Sequence, residues 1–454
     1  MSNSHIIALT GLINKAVQDV ITEYAAVGQA IPSLDTLESG PFQVPEEIPT
    51  RLTKAIKIIE AACAQLCYSV APPGSVMVHK SLNHEEPACL HVVIEARIAN
   101  LLLDKPKGLP ASELAFRSGL DTMKLTRILR FLATKHCFKE VRPGVFANNR
   151  LSMKLLSSDP ISSLVCTYVD EGLKASAYLN DTLTDPSDTD GGIPFRRATG
   201  YSFFDYHKQP QGLKQGQRFT TGMIGWGDIV GKSLIAKVYP WTSQPADATI
   251  CDVGGGQGYT IMGLMKAHSH VNLVLQDQPE IIKMAQKFWA EEYPEAIEKQ
   301  RVQFVPFDFL EETAAQGCDF YYISSVLHNW PDAECEIILK NVRKAMKPSS
   351  RVLIHDTVLR DAVHTLNHDH IVSLSDEATI IQPNVRLDVA PEPLLPNYGV
   401  GSIRTYELDM ALMTIVNAQA RTLLEYIELG KRSRLKFEKL YEAGETDLVE
   451  FTPF

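Results

Sequence analysis

No stretch of this 454-residue chain approaches the roughly 20 uninterrupted apolar residues that a membrane span needs. The first twenty residues lack a basic start, an apolar run and a small-residue cleavage site, so export is not expected. Cysteine is sparse: of eight, only Cys63 and Cys67 lie close together, and paired CxxC motifs are absent. That spacing, on an expected helix, suits buried thiols in a reducing compartment and argues against a disulfide frame or a zinc site. Basic charge is in deficit. A net charge of −10 argues against a nucleic-acid partner, whose phosphates reward basic surfaces. The expectation is a cytoplasmic protein with no membrane, nucleic-acid or metal partner. What remains is 45% hydrophobic and 22% charged, able to build sizeable cores and long enough for two domains.

Ile6, Leu9, Ile13, Val17, Val20 and Tyr24 recur at helical spacing, and helical periodicity returns over residues 52–68 after a turn-rich linker. Two such helices on an arm with little local core predict packing on a partner subunit, hence a homodimer. One apolar helix is expected over residues 91–103, then a short helix opening near Pro110 and Ser112. A break at Gly119, a third helix over 123–135 and a hairpin over 138–147 turning at Pro143-Gly144 complete a winged-helix plan. The third helix is basic (Lys124, Arg127, Arg130, Lys135), which superficially suggests DNA. Its Ile128, Leu129 and Leu132 form a core-facing stripe, and the acidic chain speaks against that use. From residue 248 apolar strands at 249–253, 271–275, 302–304, 320–324 and 351–355 alternate with helical stretches. That pattern predicts an α/β, Rossmann-like doubly wound sheet. The expected organisation is therefore an arm and winged helix over 1–155, a helical connector over 156–240 and the α/β domain over 241–454. A Pro-rich insert, residues 360–402, interrupts the last of these.

The strongest motif is Asp252-Val253-Gly254-Gly255-Gly256-Gln257-Gly258, between a strand and a helix. Glycines there let the backbone approach a ligand, and the helix N-terminus offers a positive dipole end. A tight turn needs glycine without any ligand, so context decides. The second strand ends at Asp277, able to accept ribose hydroxyls, about 20 residues after the last glycine. The third is followed by Asp308-Phe309, an acid and an aromatic suited to a purine's amino group and face. A dinucleotide is the rival reading, but GxGxxG is missing. After the fourth strand comes Val326-Leu-His328-Asn-Trp-Pro-Asp332. A histidine at this edge can accept a proton near neutral pH, and Asp356, ending the fifth strand, can orient it.

The order DVGGGQG, QDQP, FDF, VLHNWPD, LIHD and Arg404-Thr-Tyr-Glu-Leu-Asp409-Met-Ala-Leu-Met413 resembles caffeate-type class I O-methyltransferases, particularly their fungal branch. The likeness covers nearly the whole chain, since those enzymes also carry an N-terminal dimerising winged-helix domain. It implies that Asp252, Gly254, Gly256, Asp277, Asp308 and Phe309 hold S-adenosylmethionine or S-adenosylhomocysteine. It also implies that His328 is the general base, with Phe219, Met223, Trp226, Met410 and Met413 facing a small natural-product acceptor. One departure stands out. The family's second steering acid, just before Arg421-Thr422, is Ala420 here, and the usual glycines are missing. That loss, the length and the insert resemble O-methyltransferase-like pericyclases of fungal pyridone alkaloid pathways. The expectation drawn from this is dehydration of a pyridone alcohol and a stereoselective hetero-Diels–Alder or Alder-ene cyclisation without methyl transfer, preorganised by charge and shape. Genuine methylation of a phenol or enol is the alternative. Two further readings are a metal cluster at His364, His368, Asp369 and His370, for which a solvated loop is the plainer account, and a catalytically silent dimerising protein.

Overall fold

The computed structural model describes residues 3–43, 45–187, 192–363 and 388–454. The chain divides into two compact units, residues 1–229 and 230–454.

In the first unit the arm is a pair of helices, Ser4–Ala26 and Thr50–Val70, packed on each other. Leu9, Ala16, Leu52, Ala55, Ala61 and Ala62 are buried, so the arm owns more core than its sequence suggests, a seam of mostly small residues. Ile7, Ile21, Ile56, Tyr68 and Val70 stay exposed. Cys63 and Cys67 are exposed too, against expectation, because alanines occupy the seam of that helix; Cys137, Cys166, Cys251, Cys318 and Cys335 are the buried thiols. Residues 91–103 do not form one helix. They are split between Glu85–Glu95 and Ile98–Leu101 by Arg97, whose left-handed φ of 52° breaks the helical ladder. Helices Ala111–Ser118 and Thr122–Thr134 follow; Asp121 caps the second by accepting the Lys124 N–H at 2.9 Å. The hairpin strands Lys139–Arg142 and Val145–Ala147 are joined by a two-residue strand, Leu109–Pro110, too short to leave a periodic signal. Leu114, Leu125, Leu129, Leu132, Phe138 and Phe146 form the core beneath.

Later in this unit the helix Leu213–Val230 is tied down by charge. Arg218 donates to Asp170 at 2.8 Å and to Glu171 at 2.9 Å, and His207 Nε2 lies 2.9 Å from Glu171. All four side chains are largely buried. Removing one partner would strand another charge without water, which makes this a firm anchor.

The second unit is built on seven strands. They are β1 Thr249–Val253, β2 Asn272–Asp277, β3 Val302–Pro306, β4 Phe320–Ser324, β5 Arg351–Asp356, β6 Leu435–Ala443 and β7 Thr446–Pro453. Their order is β6-β7-β5-β4-β1-β2-β3, with β1 to β5 parallel and the β6–β7 hairpin added antiparallel at β5. This is a Rossmann-like α/β sheet with apolar cores on its two faces. The five parallel strands are those expected, and β6 and β7 are additional. The chain leaves β1 toward β2 on one side and returns to β4 on the other. The switch point at β1 and β4 is where such sheets form a crevice beyond their carboxyl ends. Among the described residues no helix is long and apolar enough to cross a membrane. The proposed metal ligands His364, His368, Asp369 and His370 lie outside the described residues.

Candidate active site

The turn after β1 is shaped by two constraints. A Cβ on Gly255 would come within 2.4 Å of the Asp252 carboxyl and 2.5 Å of Leu275, so nothing larger fits there. Gly256 has a left-handed φ of 61° and open space where a side chain would project, which leaves its backbone face accessible to a ligand. The Gly254 N–H donates to the Gln276 carbonyl at 2.9 Å, tying the turn to β2. Asp277, at the end of β2, accepts the Gly256 N–H at 2.8 Å and the Gln278 N–H at 2.7 Å. Burial pushes its carboxyl up while those bonds oppose the rise. Asp252 Oδ1 is buried with no hydrogen-bond partner. Burial, then the neighbouring Asp277, pushes this carboxyl up to about 8, with Lys232 pulling the other way. A buried acid without a partner beside an open glycine turn fits a cationic ligand group.

Phe309 approaches the same turn, its ring 3.3 Å from where a Gly254 Cβ would stand, and it meets Trp330 edge-on at 5.8 Å. Asp308 spends one oxygen on the Leu310 N–H at 2.9 Å. So Asp252, Gly254, Gly256, Asp277, Asp308 and Phe309 gather at one sheet edge, around the open glycine turn.

His328 lies on the same edge, in the 3-10 turn Leu327–Asn329 just past β4, and is buried. Its Nδ1 is 2.5 Å from Asp356 Oδ1, at the end of β5. Burial alone would raise the Asp356 carboxyl. The imidazole, followed by the Thr357 N–H at 2.8 Å, holds it below the ordinary carboxylate range. An ionised carboxylate only accepts, so Nδ1 carries the proton and Nε2 is the basic nitrogen. The helix Ile403–Val416 lies against the histidine's turn, with Met413 half-buried and Met410 about half exposed (48%). Ala420 is buried and its N–H donates to Asp409 Oδ1 at 2.9 Å. Phe219, Met223 and Trp226 belong to the first unit, on the helix Leu213–Val230, where Phe219 packs edge-on against Phe203 at 5.0 Å.

Sequence reasoning gave no role to Arg421 or Lys232. Arg421 is fully buried and bonded to the backbone around His328, a contact that no local pattern announces. In the first unit His91, Glu95 and Cys166 cluster within 4.8 Å. Lys214 already holds Glu95 at 2.8 Å, and Arg218 lies 3.1 Å from the Cys166 sulfur, so the cluster is occupied by cationic side chains.

Comparison with known proteins decides the family. Residues 177–384 match the O-methyltransferase domain family, and residues 80–158 match the O-methyltransferase dimerisation domain. A 3-O-methyltransferase 2 of Phanerochaete chrysosporium is 44% identical, over 99% of this chain and 98% of that protein. The chain belongs to the O-methyltransferase family. An O-methyltransferase of Armillaria gallica is 30% identical over 93% of this chain and 92% of its own length. Among solved structures, mitomycin 7-O-methyltransferase aligns with a TM-score of 0.66 at 24% identity, covering 84% of this chain and all but 2% of its own. Human N-acetylserotonin methyltransferase gives 0.64 at 16%, covering 85% and 99%. These two likenesses speak for the fold.

Proposed function

We propose that this protein is an S-adenosylmethionine-dependent O-methyltransferase acting on a phenolic or enolic hydroxyl of a small natural product. The observation that carries the reading is the His328–Asp356 pair beside the glycine cradle. S-adenosylmethionine supplies an electrophilic methyl group on a sulfonium. The chain's own residues do the rest: Asp277 takes ribose hydroxyls, Phe309 covers the base, and the unpartnered Asp252 carboxyl faces the amino-acid end. His328 Nε2 removes the acceptor's proton, and Asp356 steadies the imidazolium that results. General-base assistance of this kind contributes about 10²–10⁴-fold. Met410 and Met413, on the helix beside the histidine's turn, are assigned to the acceptor side. The dimerisation domain, laid out on a winged-helix plan, and the exposed apolar face of the arm support a homodimer.

Cyclisation without methyl transfer is the second reading. Ala420, in place of the family's second acid, favours it; the full-length relatives, which carry O-methyltransferase names, favour methylation. Mass analysis after incubation with a phenol panel, a pyridone alcohol and S-adenosylmethionine separates the two. A product heavier by one methyl group is expected. Loss of water with a cyclised skeleton, and no methylated product, would overturn the proposal.

A further inference from the structure

His328 sits in a single 3-10 turn, a short element with poor internal hydrogen bonding. Something else must hold it still. Two carbonyls that flank the histidine, Leu327 O just before it and Trp330 O two residues after it, are both taken by Arg421, through Nη1 and Nη2 at 2.9 Å each. Asp332 grips the same guanidinium, its Oδ1 accepting Nε at 3.1 Å and Nη2 at 2.8 Å. The Cys335 sulfur donates to the same two carbonyls at 3.2 and 3.3 Å. Arg421 is itself fixed by its backbone, because Arg421–Thr422 pairs in parallel with Val358–Leu359, two residues beyond Asp356. Its main chain is thus registered to the segment that carries the acid, and its side chain to the turn that carries the base.

We infer that Arg421 is a positioning residue that sets the His328 imidazole against Asp356. It does through backbone carbonyls what the family's acid, replaced by Ala420, does directly. This rests on the methyl-transfer reading for its kinetic consequence. The chemistry suits arginine alone: a rigid planar fork reaches two carbonyls and a carboxylate together, whereas a lysine is a point donor that cannot span them. Arg421 itself is fully buried and offers no surface to a ligand.

The test uses the full chain with Arg421→Lys and Arg421→Met. Three readouts are taken: kcat against acceptor KM, S-adenosylhomocysteine affinity by calorimetry, and the low-field proton resonance of His328 Nδ1–H, assigned by its absence in His328→Ala. In Arg421→Lys, kcat is expected to fall about 10²-fold, the scale of a misplaced catalytic group, with KM and S-adenosylhomocysteine affinity retained and the resonance moved or broadened away. Wild-type kcat and an unchanged resonance in the folded variant would overturn the inference. So would loss of kcat and S-adenosylhomocysteine affinity together with the resonance intact, the mark of a merely structural residue. Should both variants fail to fold, Asp332→Asn loosens the guanidinium from its half-exposed side (45%) and must still shift the resonance; an unmoved line overturns the inference there too. Resonance and affinity need no turnover. A wild type that transfers no methyl, yet shows the shift in Arg421→Lys, sinks the methyl-transfer reading and keeps the clamp.

Discussion

Two buried histidines stand at neighbouring strand ends of one sheet, and they are built for opposite purposes. His355, in β5 beside Ser324 of β4, has hydroxyl neighbours: Tyr322 OH at 2.7 Å from Nδ1 and Thr446 Oγ1 at 2.9 Å from Nε2. Burial, then the nearby Lys232, drives its pKa from 6.5 down to about 3, so it stays neutral. His328, one turn beyond β4, has a carboxylate at Nδ1. Burial is shared; the partner differs. A hydroxyl on each side closes a histidine into the core, while a carboxylate on one side leaves the other nitrogen basic. One histidine is sealed into the core, and the other keeps a nitrogen for the proton transfer proposed for it.

Replacing the acid is the largest way to break the contrast. Asp356→Asn keeps the shape and removes the charge that supports an imidazolium. With Ala420 offering no second carboxylate, kcat is expected to fall about 10²–10⁴-fold while S-adenosylhomocysteine still binds. A loss of only a few-fold in steady-state rates would show that His328 does not depend on Asp356. Next in size is the cofactor cradle. Asp277→Ala should weaken S-adenosylhomocysteine by about 1–3 kcal/mol, or roughly 5–150-fold, by removing a buried acceptor. Unchanged calorimetric affinity would detach Asp277 from the cofactor.

The smallest effect sharpens the other half. The unfolded chain protonates His355 near pH 6.5, whereas the folded chain resists until about 3. Its contribution to stability is therefore complete above pH 6.5 and is lost as pH falls through that window, by at most about 1.4 kcal/mol per pH unit. His355→Gln should flatten the decline in unfolding midpoint between pH 7 and pH 5 and leave kcat near wild type. An unaltered pH slope would mean that His355 is not held neutral.

Sequence and structure agree best where one short segment carries the whole signal. The turn 252–258 needs its glycines locally, for close approach at Gly255 and a left-handed backbone at Gly256, and so announces itself. The histidine follows β4 by a short turn and its acid ends β5, and the regular strand–helix alternation puts both on one edge. The remainder is tertiary. β6 and β7 carry charged residues at Lys436, Glu438, Lys439, Glu442 and Glu450, which mask a strand pattern, and they become strands by pairing with each other and with β5. The bend at Arg97 is a single residue's φ within an apolar run. Arg421 reaches carbonyls more than ninety residues away in the chain, so its role follows from packing alone.

On the reading proposed above, His328, steadied by Asp356, takes the acceptor's proton during methyl transfer. The most direct test is the single-turnover rate of methyl transfer from labelled S-adenosylmethionine to a phenolic acceptor, in wild type and His328→Ala, with S-adenosylhomocysteine affinity measured alongside. The predicted result is a rate about 10²–10⁴-fold lower in the variant with that affinity retained. Wild-type turnover in His328→Ala would contradict it.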